Sequence, residues 1–320
     1  MPRSYAEASI ESRAGVTTAL PTTGDEVPRG KALAVAVAMR PRQWVKNVLV
    51  FAAPGAAGKL SNAHVAGMAL VAAVAFCVAA SGVYLLNDAI DVEVDRLHPG
   101  KRSRPVARGE LSVPLASSLG IALLAIGSVG GGLVAGWQLS VVVSIYAAVN
   151  IAYCLWSKNE PVVDLLSVAS GFVLRAIAGG VATHVALSNW FLIVTSFGSL
   201  FMVAGKRHAE HLDLGDDAPS HRQILSQYSL AYLRFVRSVA AGITLLAYCL
   251  WAFEKASALQ HSAIYFQLSI VPVAFGVLRY ALLLDRGEGG APEDIVLGDR
   301  RLQLAGVLWV ALFAVGVYAG

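Results

Sequence analysis

The amino-acid sequence predicts an all-α polytopic membrane protein. Hydrophobic residues fill 56% of the 320 positions and charged residues only 14%, where a soluble domain carries roughly a quarter charged. The apolar residues come in blocks close to the ~20 that a helix needs to cross a bilayer. Basic residues gather in alternate connections between those blocks, as membrane topology demands.

The elements follow in order. Residues 1–30 are Ser, Thr, Pro, Gly and charge without sustained periodicity, so a disordered tail is expected there. They lack a compact apolar core of the kind a signal peptide has. Residues 31–320 form one membrane domain. Hydropathy gives about nine transmembrane helices, near 34–56, 65–88, 113–135, 138–156, 162–183, 189–206, 230–251, 263–284 and 302–319. The first is the weakest, because Arg40, Pro41, Arg42 and Lys46 interrupt it. It is expected to be tilted or partly interfacial. Gly127, Gly130, Gly131, Gly132, Gly179 and Gly180 fall inside spans, where small residues let membrane helices approach closely. Cys77, Cys154 and Cys249 sit in apolar blocks without ligand-like spacing and read as small hydrophobes.

Charge placement orients the chain. With the N-terminus in the cytoplasm and alternating spans, the non-cytoplasmic side holds only Lys59 and Lys255 among the basic residues. That is the positive-inside pattern. An odd number of spans puts the C-terminus on the opposite side. Two connections on the cytoplasmic side are long, about 89–112 and 207–229, whereas the opposite ones, such as "GWQLS" and "THVALSN", are short. A transporter would also bury charge, but its polar groups would follow an inverted repeat, and none is evident.

The first long connection holds the chemistry. Asn87, Asp88, Asp91 and Asp95 form N-D-x-x-D-x-x-x-D at the end of the second span. If the helix continues, 88, 91 and 95 are spaced three and four apart and share a face. Clustered carboxylates near a membrane are costly without a positive charge among them. Mg2+ would supply it, because it takes one or two carboxylates and leaves positions for water and phosphate oxygens. Asp88, Asp91 and Asp95, with Asn87 beside them, are therefore the candidate catalytic and metal-binding residues. The alternative is a solvated helix end paired to Arg96, Lys101 or Arg102; Glu93, off that face, is expected to be solvated.

Cations converge on the same side. Arg40, Arg42 and Lys46 interrupt the first span, and Lys158, Asp164 and Arg175 come from "SKNEPVVDLLSVASGFVLRAIAGG". Residues 164 and 175 fall near one helix stripe; ionisable residues there mark a functional-site candidate, and the alternative is structural ion pairing to neighbouring helices. In "GKRHAEHLDLGDD", Lys206, Glu210 and Asp213 share a helix face, with Arg207 alongside. The plain reading there is an exposed Arg207–Glu210 pair. Tyr153 reads as an interfacial anchor as readily as a site residue.

"NDAIDVEVDRLHPGKRSRPVARGEL" resembles the first Asp-rich motif of the UbiA superfamily of intramembrane prenyltransferases, including its K-x-x-R-P continuation at Lys101–Pro105. The resemblance implies a UbiA-like helical bundle, with a central cavity opening to the cytoplasmic side. It implies Mg2+ held on a substrate diphosphate by Asn87, Asp88, Asp91 and Asp95. Many members carry a second acidic motif after the sixth span; here Asp164, Glu210 and Asp213 are the candidates, among more cations than acids. Together with "RPRQWVKN" and "GKRHAEHLDL", the pattern is similar to one phosphoribosyl-transferring branch of actinobacteria. That branch implies 5-phosphoribosyl 1-diphosphate as donor and decaprenyl phosphate as acceptor, for arabinan cell-wall precursors. Arg42, Lys46, Lys101, Arg104, Lys158, Arg175, Lys206 and Arg207 are then the candidate phosphate-binding residues. The rival is an aromatic-acceptor polyprenyltransferase using a polyprenyl diphosphate. Membrane lipid is an expected partner in a cell membrane, nucleic acid is not, and a homo-oligomer stays open.

Overall fold

The computed structural model describes residues 30–214, 223–258, 260–287 and 292–318. The expected tail and the middle of the 207–229 connection lie outside the described residues. Every regular element among the described residues is helical. The α-helices are α1 (Lys31–Ala38), α2 (Ala52–Ala56), α3 (Ala63–Ile90), α4 (Val92–Leu97), α5 (Val113–Ala125), α6 (Gly131–Ala135) and α7 (Trp137–Leu155). They continue with α8 (Val163–Ala182), α9 (Asn189–Leu214), α10 (Leu230–Ala258), α11 (Ala263–Asp285), α12 (Pro292–Gly298) and α13 (Arg300–Tyr318).

Among the described residues, seven segments are long and apolar enough to cross a membrane: α3, α5 with α6, α7, α8, α10, α11 and α13. Helix α9, 26 residues long, is not among them. Its C-terminal part carries Lys206, Arg207, His208 and Glu210, which dilute its apolar content.

The first expected span is not one helix. Arg40 adopts φ 54° and ψ 62°, outside the right-handed helical region that the following Pro41 disfavours for the residue before it, so α1 ends ahead of it. An 11-residue 3-10 stretch, Pro41–Phe51, then leads into α2. Such long 3-10 runs are uncommon, and side-chain bonds tie this one down. Trp44 Nε1 donates to Ser81 Oγ at 3.1 Å, and Asn47 Nδ2 donates to Cys77 Sγ at 3.1 Å. A Cβ on Gly179 would collide with the Val50 carbonyl, so glycine there lets α8 lie directly against the stretch.

Helix α3 is central: 61% of its apolar window is buried, against 17% for α13. Phe76 packs with Leu139, Val143 and Tyr146 of α7 and with Ala178 and Ala182 of α8. A second cluster joins α9, α10, α11 and α13 through Phe201, Ala240, Tyr280, Leu284 and Leu302. A third links α8, α9 and α10 to a buried plug, Ile224 and Tyr228. Outward-facing Leu133, Val271, Leu278 and Val307 are exposed, which suits a lipid solvent as apolar as leucine itself.

Candidate active site

The acidic motif sits where α3 ends. The expected continuous helix breaks at Asp91, whose backbone (φ -91°, ψ 9°) caps α3 before α4 resumes. Asp88 and Asp95 are still brought together. Their side chains are 2% and 1% exposed, and Arg104 Nη1 lies 3.2 Å from Asp88 Oδ1 and 2.6 Å from Asp95 Oδ2. Arg40 Nη2 also pairs with Asp88 Oδ1, while its guanidinium covers the Tyr84 ring. Asp91 instead meets Lys158 Nζ, at 2.6 Å. Asn87 Oδ1 accepts from Cys154 Sγ at 2.9 Å. The carboxylates are thus paired to Arg40, Arg104 and Lys158, cations outside the expected set of Arg96, Lys101 and Arg102. Exposed Glu93 pairs with Arg96 at 2.9 Å, away from the cluster.

The second acidic candidates form a different object. Asp164, in the first turn of α8, is fully buried. Arg207 grips it with Nε at 2.8 Å and Nη2 at 2.9 Å, and Tyr153 donates to it at 2.9 Å. Arg207 also reaches Glu210 Oε2 at 2.9 Å. The pair expected on an exposed face is therefore part of a buried clamp. Asp164 thus makes an ion pair to the neighbouring helix α9. Lys206 stays 43% exposed, 3.8 Å from Glu210. The side chain of Asp213 lies outside the described residues.

Arg175 is buried at 5% exposure. It donates to Asn47 Oδ1 at 2.7 Å, the Gly171 carbonyl at 2.6 Å and the Tyr146 hydroxyl at 3.1 Å. Its guanidinium lies near the rings of Phe76, Tyr146 and Phe172. Neutral acceptors and π faces hold this charge. Arg42 is exposed on the 41–51 stretch; Lys46 and Lys101 are half-buried.

Among the described residues, no three His, Cys, Asp or Glu side chains form a ready chelating group. The donor set at 88–95 nevertheless fits a hard cation. Asp95 Oδ1 is buried and accepts no hydrogen bond, and Mg2+ needs only one or two carboxylates beside phosphate and water. The buried clamp does not fit one, because its carboxylates are committed to Arg207. Two cavities lie away from the aspartates. One of about 400 Å3 is lined by Phe201, Met202, Thr244, Tyr280 and Trp309, and one of about 500 Å3 by Gln138, His184 and Leu187.

The model of the UbiA prenyltransferase family matches residues 48–304. The chain belongs to that family. Within it, the chain is 44% identical over 295 residues to a decaprenyl-phosphate phosphoribosyltransferase of Corynebacterium glutamicum, covering 91% of this chain and 89% of the relative. The enzyme of that name from Mycolicibacterium smegmatis is 43% identical over 315 residues, covering 94% and 96%. A solved UbiA homolog from Archaeoglobus fulgidus, bound to DMAPP and Mg2+, has the same fold, with a TM-score of 0.66 at 19% identity. It covers 90% of this chain and 98% of its own. As a UbiA-family member with seven long apolar helices, this is a multi-pass membrane protein.

Several residues around the cluster escape a reading of motifs alone. Arg40 is visible as an interrupting charge, but nothing in its neighbourhood reveals its bond to Asp88. Asn47 and Tyr146 have no motif, although a polar Asn in an apolar run is itself a signal. Tyr228 is missed altogether. Its phenol is pushed above the usual value by burial, so it stays neutral.

Proposed function

We propose that the chain transfers the 5-phosphoribosyl group of 5-phosphoribosyl 1-diphosphate to decaprenyl phosphate and releases diphosphate. The observation that carries this reading is the 43% to 44% identity to decaprenyl-phosphate phosphoribosyltransferases over nearly the whole of both chains. The site's chemistry supports it: carboxylates for one divalent ion, ringed by cations for phosphate.

Cleaving the anomeric C–O bond leaves positive charge on the sugar and negative charge on the departing diphosphate. Asp88 and Asp91, with Asp95 beside them, would hold Mg2+, which when bound supplies positive charge next to that leaving group. Arg40, Arg104 and Lys158 rest on these carboxylates in the structure. They can exchange them for phosphate oxygens, the arginines in bidentate fashion. The acceptor phosphate is already anionic, so no strong general base is needed. Arg42, Lys46, Lys101 and Lys206 are the cations assigned to orient it and the donor's 5-phosphate. Arg175 and Arg207, satisfied by protein acceptors, act as anchors rather than phosphate ligands. Attack opposite the leaving group would invert the anomeric centre, and much of the rate would come from positioning.

Counting α9 and the broken first segment as crossings brings the spans to about nine. The N-terminus and the aspartates would then face the cytoplasm of a cell-membrane enzyme. The test is direct. Membranes bearing the chain are incubated with radiolabelled donor, decaprenyl phosphate and Mg2+; label is expected in the lipid fraction. No lipid label, with prenylation of an aromatic acid from a polyprenyl diphosphate, would overturn the reading.

A further inference from the structure

We infer that the Ser157–Val163 connection is a positioning strap for the donor site, and that Tyr228 is the residue that sets it. The inference rests on the reading that residues 87–95 receive the donor.

Between α7 and α8 the chain makes a short 3-10 turn, Ser157–Asn159, and then reverses at Val162. Val162 has φ 67° and ψ -48°, and the Val163 N–H donates to the Pro161 carbonyl at 2.7 Å. This is a γ-turn of the positive-φ form, which is rare and strained. A β-branched residue in that region is an outlier that glycine would avoid. Such a conformation persists only where its surroundings over-determine it.

The surroundings do so here. The Val162 N–H donates to the Tyr228 hydroxyl at 2.8 Å. Gln227 Nε2 reaches the Asn159 carbonyl at 3.4 Å. Directly after the turn, Asp164 is locked to Arg207. Tyr228 is itself fixed: it is 3% exposed, it stacks on Tyr232 with centroids 5.9 Å apart, and its carbonyl meets His211 Nε2 at 3.1 Å. On the other side of the same strap, Lys158 Nζ sits 2.6 Å from Asp91 Oδ1. The end of the second long connection therefore reaches the acidic motif through this strap. Relaxing the turn would shift the backbone four residues from Lys158 and draw its ammonium away from Asp91.

The test is donor binding, read by calorimetry on the purified full-length chain in detergent, with 5-phosphoribosyl 1-diphosphate and Mg2+. Tyr228→Phe is expected to raise Kd about fivefold, and Lys158→Ala at least as much. The double variant should bind no more weakly than Lys158→Ala, because residues acting through one contact are not additive. Val162→Gly gives a second handle if Tyr228→Phe folds poorly. Glycine takes this φ without strain but also frees the turn to sample other conformations, so Kd should rise while the melting temperature does not fall; a loss of binding that came only from damaged folding would raise Kd and lower the melting temperature together. Unchanged Kd in either Tyr228→Phe or Val162→Gly, or additive losses in the double variant, would overturn the inference. A wild-type chain that binds no donor would instead defeat the donor reading.

Discussion

Arg104 is the residue on which the acidic cluster turns. Among the described residues, it is the cation that joins Asp88 to Asp95, two carboxylates that water hardly reaches. Removing one partner of a buried ion pair costs about 3–5 kcal/mol, because the other charge is left uncompensated. Arg104→Gln is therefore expected to lower the thermal unfolding midpoint in detergent. Added Mg2+ should recover part of that loss, since a divalent ion would take over the compensation; a midpoint unmoved by the substitution would show the pair to be idle. Asp88→Asn and Asp91→Asn should behave differently. Each keeps the side chain's size, and the cations left behind, Arg40, Arg104 and Lys158, are about a quarter exposed and can be hydrated, so insertion and folding should survive and turnover should vanish. Near-normal transfer by either variant, in the radiolabel assay, would remove the metal assignment.

At the scale of elements, the clamp between α8 and α9 carries the clearest energetic statement. Arg207 and Asp164 are 3% and 0% exposed in their side chains. Arg207→Met alone should destabilise by about 3–5 kcal/mol. Asp164→Leu/Arg207→Met should regain most of it, because a well-packed apolar pair often replaces a buried ion pair without loss; denaturation midpoints of the single and double variants check this. The contrast also shows what sequence can reveal. Long helices such as α3 and α10 are legible because one property, a sustained apolar run, both defines the span and forms the helix. The break at Arg40 is legible in principle from Pro41, yet hydropathy averages over it. Partners are not legible. Arg207 and Asp164 are 43 residues apart, and Arg175 and Asn47 are 128 apart, so only the packing of α8 against α9 and the 41–51 stretch decides which charge meets which. The three-and-four spacing of the aspartates singles them out as candidates, but it could not anticipate the cap at Asp91 that turns this residue toward Lys158.

For the whole molecule, ion pairs make a topological argument that hydropathy cannot. Asp91 follows α3 and meets Lys158, which follows α7; the paired segments α5–α6 and α7 run between them. Asp164 opens α8 and meets Arg207 near the end of α9. Arg237, early in α10, pairs with Asp285 at the end of α11, and Arg279 pairs with Asp299, just before α13. Each contact closes a helical excursion back to its starting end, so all these charges share one end of the bundle. The other end is marked by Trp190 bonding Glu254 and by Gly58 lying against Val317. Helix α9 must therefore traverse the bundle as α8 does, despite its polar tip. A cytoplasmic charged end is what the positive-inside rule would give, and that orientation is testable. Single cysteines in a cysteine-free chain test this with a membrane-impermeant maleimide on intact cells. Lys59→Cys and Lys255→Cys should label from outside, whereas Arg102→Cys should label only after permeabilisation. Labelling of positions 59 and 102 from the same side would break the alternation on which the cytoplasmic placement of the aspartates depends.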